Sequence, residues 1–269
     1  MRLYQYTSLE SLSMILSKKQ LRFTRLDKVD DMEEGNMISS GLNLSYNTFV
    51  SCWTHAKEEN IALWKMYTPD SSGLRISIES DDLFESNLIK AGIPNVVYSI
   101  EKDIPSYLTN SQFYSDYVYL QFLIQPCKLI PRKIIYEDDP SVYNSKIIKI
   151  DRDKFSINIP DIGIYKRKIW EFQKEVRFIL IIFPYPKEMV SARKLDGGRL
   201  LNFYLNKQCY DPNLEYHYLN ISAKALSNLE IVKSPLMSDA NSILLESLLY
   251  KYAPKAQVYD SELKGKIRK

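Results

Sequence analysis

In "WEFQKEVRFIL", residues 170–180, Trp170, Glu175 and Arg177 stand at the entry to a run of branched and aromatic residues that reads as a buried strand. Side chains alternate along a strand, so Glu175 and Arg177 share one face. A carboxylate beside a guanidinium is held ionised and oriented. The plainer reading is an ion pair that closes the strand end. A second candidate is "ALWKMYTPDSSGLRISIES" at 62–80, where Trp64 and Tyr67 lie one helical turn apart, just ahead of a turn and a strand. Aromatic residues on one helical face are core more often than ligand site. Trp64 is expected in the core, and Tyr67, nearer the turn, is expected to line a pocket.

Other chemistries have less support. The acidic loop holding Asp30, Asp31, Glu33 and Glu34 reads as solvated, with a spacing that also suits a helix cap or a divalent cation. His55 is a lone imidazole, and with only His217 besides it a His-rich metal centre is not expected. Cys52, Cys127 and Cys209 are odd in number and far apart, which fits reduced, buried thiols and not a disulfide framework or zinc site. No G-x-S-x-G, H-E-x-x-H, G-x-G-x-x-G or G-x-x-x-x-G-K motif occurs, so the common hydrolase, metalloprotease, Rossmann and P-loop signatures are missing.

The elements that must position these residues can be read in order. Thr7 and Glu10 fit a capping box, and Leu9, Leu12, Ile15 and Leu16 recur at helical spacing, predicting a helix from near Ser8 between the strands "RLYQY" and "LRFT". "NTFVSCW" reads as a strand, "EENIALWKMY" as a helix, "PDSSG" as a turn and "LRISIES" as a half-buried strand. Pro105 to Leu129 is predicted to hold a longer helix, and "EVRFILIIF" is predicted to be a central strand ended by Pro184 and Pro186. "LEYHYLNIS" and "LEIVKSP" are read as strands, "LMSDANSILLESLLYKYAP" as an amphipathic helix and "KAQVYDSEL" as a closing strand. Interspersed helices and strands without repeats or a long linker predict an α+β fold, a single mixed domain over 1–269 with central β-sheets and flanking helices.

Composition agrees with a globular chain: of 269 residues, 45% are hydrophobic and 26% charged. No stretch approaches the roughly 20 apolar residues of a membrane span, and "MRLYQYTSLESL" lacks a secretory signal pattern, so no membrane association and a cytoplasmic location are expected. Lys and Arg number 36 against 33 Asp and Glu, too balanced to point to nucleic acid. The basic stretches "YKRKIW" at 165–170 and "KGKIRK" at 264–269 are read as solvated surface.

Taken in order, "YQY" at 4–6, "DDMEE" at 30–34, "CWT" at 52–54, "LWKMY" at 63–67 followed by Gly73, "WEFQKEVR" at 170–177 and "VYDSELKG" near the end resemble the bacterial domain-of-unknown-function family 2971. That family shows Tyr-basic-Tyr, N-D-P-F-E, C-F-S, M-W-x-x-Y and W-x-x-E-x-E-x-R. Gln5, Met32 and Gln173 depart from the pattern, while Glu175 and Arg177 keep it. The layout is also similar to that of the ADP-ribosyltransferases. This second resemblance implies a nucleotide site for NAD as substrate, with Gln5 and Thr7 in its first element, Tyr67 in its second and Glu175 as the catalytic third, and a protein or nucleic acid as acceptor; Arg177, Trp170 and Trp64 are expected as further residues around the ligand, and no metal is expected. Its activity would be ADP-ribose transfer or NAD hydrolysis. The alternatives are a non-catalytic nucleotide- or protein-binding module in bacterial or phage defence, and a nucleic-acid-acting protein using the acidic loop and "YKRK".

Overall fold

A computed structural model describes residues 1–68, 70–89, 104–113, 117–122, 128–151, 154–186 and 213–268. Ten strands form one mixed sheet: β1 (Arg2–Ser8), β2 (Gln20–Arg25), β3 (Thr48–Thr54), β4 (Gly73–Glu79), β5 (Tyr117–Phe122), β6 (Arg132–Lys133), β7 (Glu175–Pro186), β8 (Tyr216–Asn220), β9 (Glu230–Lys233) and β10 (Gln257–Asp260). Its main path runs β6-β7-β3-β1-β4-β9-β10. All pairs are antiparallel except β9 with β10. The helices α1 (Leu9–Lys18), α2 (Ile61–Tyr67), α3 (Ala223–Ser227) and α4 (Asp239–Tyr252) flank it, giving an α+β fold. Among the described residues no helix is long and apolar enough to cross a membrane.

The sheet is split, and the split makes the site. One edge of β3 is zipped to β7 from Glu175↔Thr54 to Ile181↔Thr48. Its other edge is shared by two strands: β1 meets it only at Tyr4↔Thr54, and β2 only at Thr24↔Val50 and Arg25↔Phe49. Between these contacts β1 and β2 part, and α1 links the end of one to the start of the other. Antiparallel partners point to the same face, so Glu175, Thr54 and Tyr4 share a face with Arg177 and Cys52, and with Val50, Thr24 and Tyr216. The opposite face carries Trp53, Val176, Phe178 and Phe49 into the main core, which Leu3, Leu12, Leu16 and Phe23 also join.

Local chemistry explains the elements and corrects several expectations. The α1 N-cap is Ser8, whose hydroxyl accepts from the Ser11 amide at 3.1 Å, and not Thr7, which stays in β1 opposite Leu74. Ser8, the last residue of β1, both pairs with Gly73 and caps the helix that starts at Leu9. β4 is buried on both faces, Arg75 and Ser77 included, because β1 and β9 take both its edges and other elements cover it. β7 continues through Pro184 to Pro186. Its β3 ladder ends at Ile181, so beyond it that edge has no strand partner among the described residues, and a missing N–H costs no ladder bond.

The longer helix expected over Pro105 to Leu129 is corrected too. Its described parts are a strand (Ile104–Ser106), one helical turn (Asn110–Phe113) and β5, which pairs with β7. An all-round apolar segment satisfies a sheet as well as a buried helix, and here tertiary pairing decides. Cys127 and Cys209 lie outside the described residues, and Cys52 is a free thiol.

Candidate functional site

A cleft of about 960 Å³ opens where β1 and β2 part. Its floor is Val50 to Thr54 of β3, and Tyr67, Gln173, Glu175 and Lys166 line one end. Tyr67 and Glu175, from an α2 terminus and a β7 start that lie more than 100 residues apart, thus meet in one site.

Behind the wall lies a buried charge cluster. The Arg177 side chain is fully buried and grips Glu175 with both ends of its fork, Nε to Oε1 at 2.5 Å and Nη2 to Oε2 at 3.1 Å. Its other face binds Glu34, with Nη2 donating to Oε1 at 2.8 Å and Nη1 donating to Oε2, and Nη1 also donates to the Gly163 carbonyl at 3.2 Å. Lys166 Nζ reaches Glu175 at 3.1 Å, Glu34 at 3.2 Å and the Gln173 side-chain amide oxygen Oε1 at 3.0 Å. Two carboxylates therefore face two cations in a space that excludes water, which keeps all four charges compensated. The Glu175 backbone N–H donates to the Tyr136 hydroxyl at 2.8 Å.

These contacts set protonation. Burial alone would raise the Glu175 pKa, but Arg177 and Lys166 overrule it and hold the carboxyl at about 2. Burial works against the charge of Lys166 as well, yet Glu175 and Glu34 keep the ammonium above its usual range. The thiol of Cys52, beside Glu175, is pushed well up by desolvation and by that carboxylate, so it is no thiolate nucleophile. Burial moves the Tyr136 phenol up to about 12.

The cluster extends into the cleft through an amide. Gln173 accepts from Lys166 and donates through Nε2 to the Tyr67 hydroxyl at 2.9 Å, and Tyr67 in turn donates to Asp30 Oδ2 at 2.5 Å. Burial and the neighbouring Asp30 raise the Tyr67 pKa, so the phenol stays protonated and acts as a fixed donor. Tyr67 as a whole remains 38% exposed.

The other sequence candidates are placed less centrally. Gln5 lines the cleft, but alternation from Tyr4 puts its Cβ on the opposite face from Glu175, and its Nε2 donates to the Cys52 carbonyl at 2.9 Å. It satisfies a floor carbonyl that the parting of β1 leaves without a ladder partner. Thr7 lines the cleft from the β1 end. Trp170 stands beside Lys166, whose Nζ lies 4.8 Å from its ring centroid. Trp64 does not line the cleft: it is 2% exposed, packs edge-on to Tyr6 at 4.8 Å, and donates from Nε1 to Glu59 at 2.8 Å. It is core, and a ligand contact for it is corrected. Arg177 likewise touches no open space and acts through Glu175.

Reading charge runs as solvated missed two members of the cluster. Glu34 belongs to the acidic loop and Lys166 to "YKRK", yet both are buried. The loop also caps itself, with Asp31 accepting from the Glu33 amide at 3.1 Å. Nothing local marks either residue, since Glu34 lies 143 positions from Arg177. Among the described residues no group of three or more His, Cys, Asp or Glu side chains is arranged to hold a metal ion.

No protein-family model, curated protein or solved structure matches this chain.

Proposed function

We propose that this chain is an ADP-ribosyltransferase-like protein whose cleft binds NAD or a related nucleotide, and that Glu175 is the carboxylate at the reacting ribose. The observation that carries this reading is the meeting of Tyr67 and an ionised, rigidly held Glu175 in one cleft at the split of the sheet. Its volume falls at the upper end of the roughly 300 to 1,000 Å³ common for small-molecule sites. When the bond between ribose and nicotinamide breaks, the electron pair leaves with nicotinamide and positive charge builds on the ribose. A preorganised carboxylate stabilises that charge without reorganising. Water or an acceptor nucleophile then adds to the ribose carbon and releases a proton. Tyr67 supplies an aromatic wall and a fixed hydroxyl.

The same geometry favours a second reading, a nucleotide-binding module without turnover. Both oxygens of Glu175 are taken by Arg177, and one also by Lys166, so part of its negative charge is already neutralised. Chromatography of nicotinamide released from NAD separates the two. The catalytic reading expects release that is lost in Glu175→Gln and reduced in Tyr67→Phe, which leaves the charge cluster in place. A rise in melting temperature with NAD but no release, with nucleic acid or cell extract added as acceptor, establishes the second reading. Neither release nor stabilisation overturns both.

A further inference from the structure

The far side of the cleft carries a feature that the reaction centre does not use. β8 pairs with β2 through Tyr216↔Thr24, Tyr218↔Arg22 and Asn220↔Gln20. Thr24 pairs in turn with Val50, and Val50 with Ile179. Register therefore places Tyr216, Tyr218, Arg22 and Thr24 on the same face as Cys52 and Glu175. The buried partners Phe23, His217 and Leu219 occupy the other face. Tyr216 and Tyr218 are 37% and 44% exposed, two aromatic rings in adjacent outward positions of one strand. Arg22 lies between them and the floor, its guanidinium 4.8 Å from the Tyr216 ring centroid. All three line the same cleft as Tyr67 and Glu175.

The spacing has a meaning for a dinucleotide. From β7 through β3 and β2 to β8 is three strand spacings, about 14 Å at roughly 4.8 Å each. One ligand reaching across that distance needs a base platform at one end, a cation for its phosphates in the middle and a reacting ribose at the other. Resting on the function proposed above, we infer that Arg22 and Tyr218 form the subsite for the adenosine diphosphate half of the nucleotide, with the base stacked on Tyr218 and the diphosphate held by Arg22. Tyr218 is the more open of the two rings, since Arg22 already covers Tyr216. Among the described residues no carboxylate forms an ion pair with Arg22, so its fork is available to an anion, and guanidinium geometry suits phosphate oxygens. Exposed Lys18, at the end of α1, lines the same side and adds positive charge.

The test uses ADP as probe, because it carries base and diphosphate but no nicotinamide bond. Binding to the full-length protein is measured by calorimetry at two salt concentrations, with Arg22→Ala, Tyr218→Ala, Tyr218→Phe and, as a surface control, Tyr250→Ala. The expected result is a Kd for ADP raised at least tenfold by Arg22→Ala and by Tyr218→Ala, restored by Tyr218→Phe, weakened by salt and unchanged in the control. All substituted side chains are exposed, so the fold is retained, and melting curves verify it. Failure of the wild type to bind ADP, or equal binding by all variants, overturns the subsite. Nicotinamide release by a protein whose ADP binding ignores Arg22 and Tyr218 overturns the subsite and leaves the proposed function standing. Tyr218-dependent ADP binding without release of nicotinamide keeps the subsite and removes the catalysis.

Discussion

Replacing Glu175 by Gln keeps the shape of the side chain and removes its charge, so its effect on stability reports the buried cluster and not packing. In the folded protein the carboxyl is held at about 2 against an ordinary value of 4.5. At about 1.4 kcal/mol for each tenfold change in acidity constant, this is worth about 3 kcal/mol of stability at neutral pH. Because the folded-state value is depressed, the contribution is fully present above the unfolded value near 4.5 and is lost as pH falls through about 2. By pH 3 about half of it is gone. Urea unfolding at pH 7 and pH 3, with wild type and Glu175→Gln compared at each, measures the difference directly. The variant is expected to lose about 3 kcal/mol at pH 7, and the gap is expected to narrow by about half at pH 3. A loss below about 1 kcal/mol, or a gap independent of pH, would refute the view that Arg177 and Lys166 hold Glu175 as a buried anion.

Other consequences follow from the same structure. His217 is buried edge-on to Phe49 at 4.6 Å, and burial lowers its pKa to about 4, so it favours the folded state above pH 6.5 and that contribution is lost as pH falls towards 4. His217→Phe is expected to flatten the fall in unfolding free energy between pH 7 and pH 4.5. Trp64→Ala removes a core ring and leaves Glu59 without its indole donor, and should cost about 3 to 5 kcal/mol in urea unfolding. Gly73→Ala would place a Cβ 2.3 Å from Thr68 Cβ at the turn into β4, so it should lower stability by about 1 to 3 kcal/mol. Thr68→Gly in that background should recover part of the loss, which thermal melts of the single and double variants would show.

Much of the element order was legible in local patterns. The strands around α1, the α2 helix ending at Tyr67, the β7 run and the closing helix and strand all carry periodicity or turn residues that act within a few positions. The shared face of Glu175 and Arg177 followed from alternation alone, because that geometry belongs to a single strand. The core role of Trp64 followed from its place on one face of a short helix, the buried side in the fold. The chain by itself also determined that Tyr67 ends a helix just before a turn, the position from which a ring can reach an opening.

What only the tertiary structure decided is which distant charges meet. Glu34 and Lys166 look like ordinary members of solvated runs until the fold brings them to Arg177 and Glu175, where excluding water turns them from surface charges into obligatory partners. The cleft has the same origin: one edge of β3 is shared by β1 and β2, a choice between long-range pairings that no window of sequence records. Tyr216 and Tyr218 likewise join the site only through the register of β8 on β2. Hydrogen-bond ladders between strands far apart in the chain set those positions, and their geometry depends on every neighbouring strand at once.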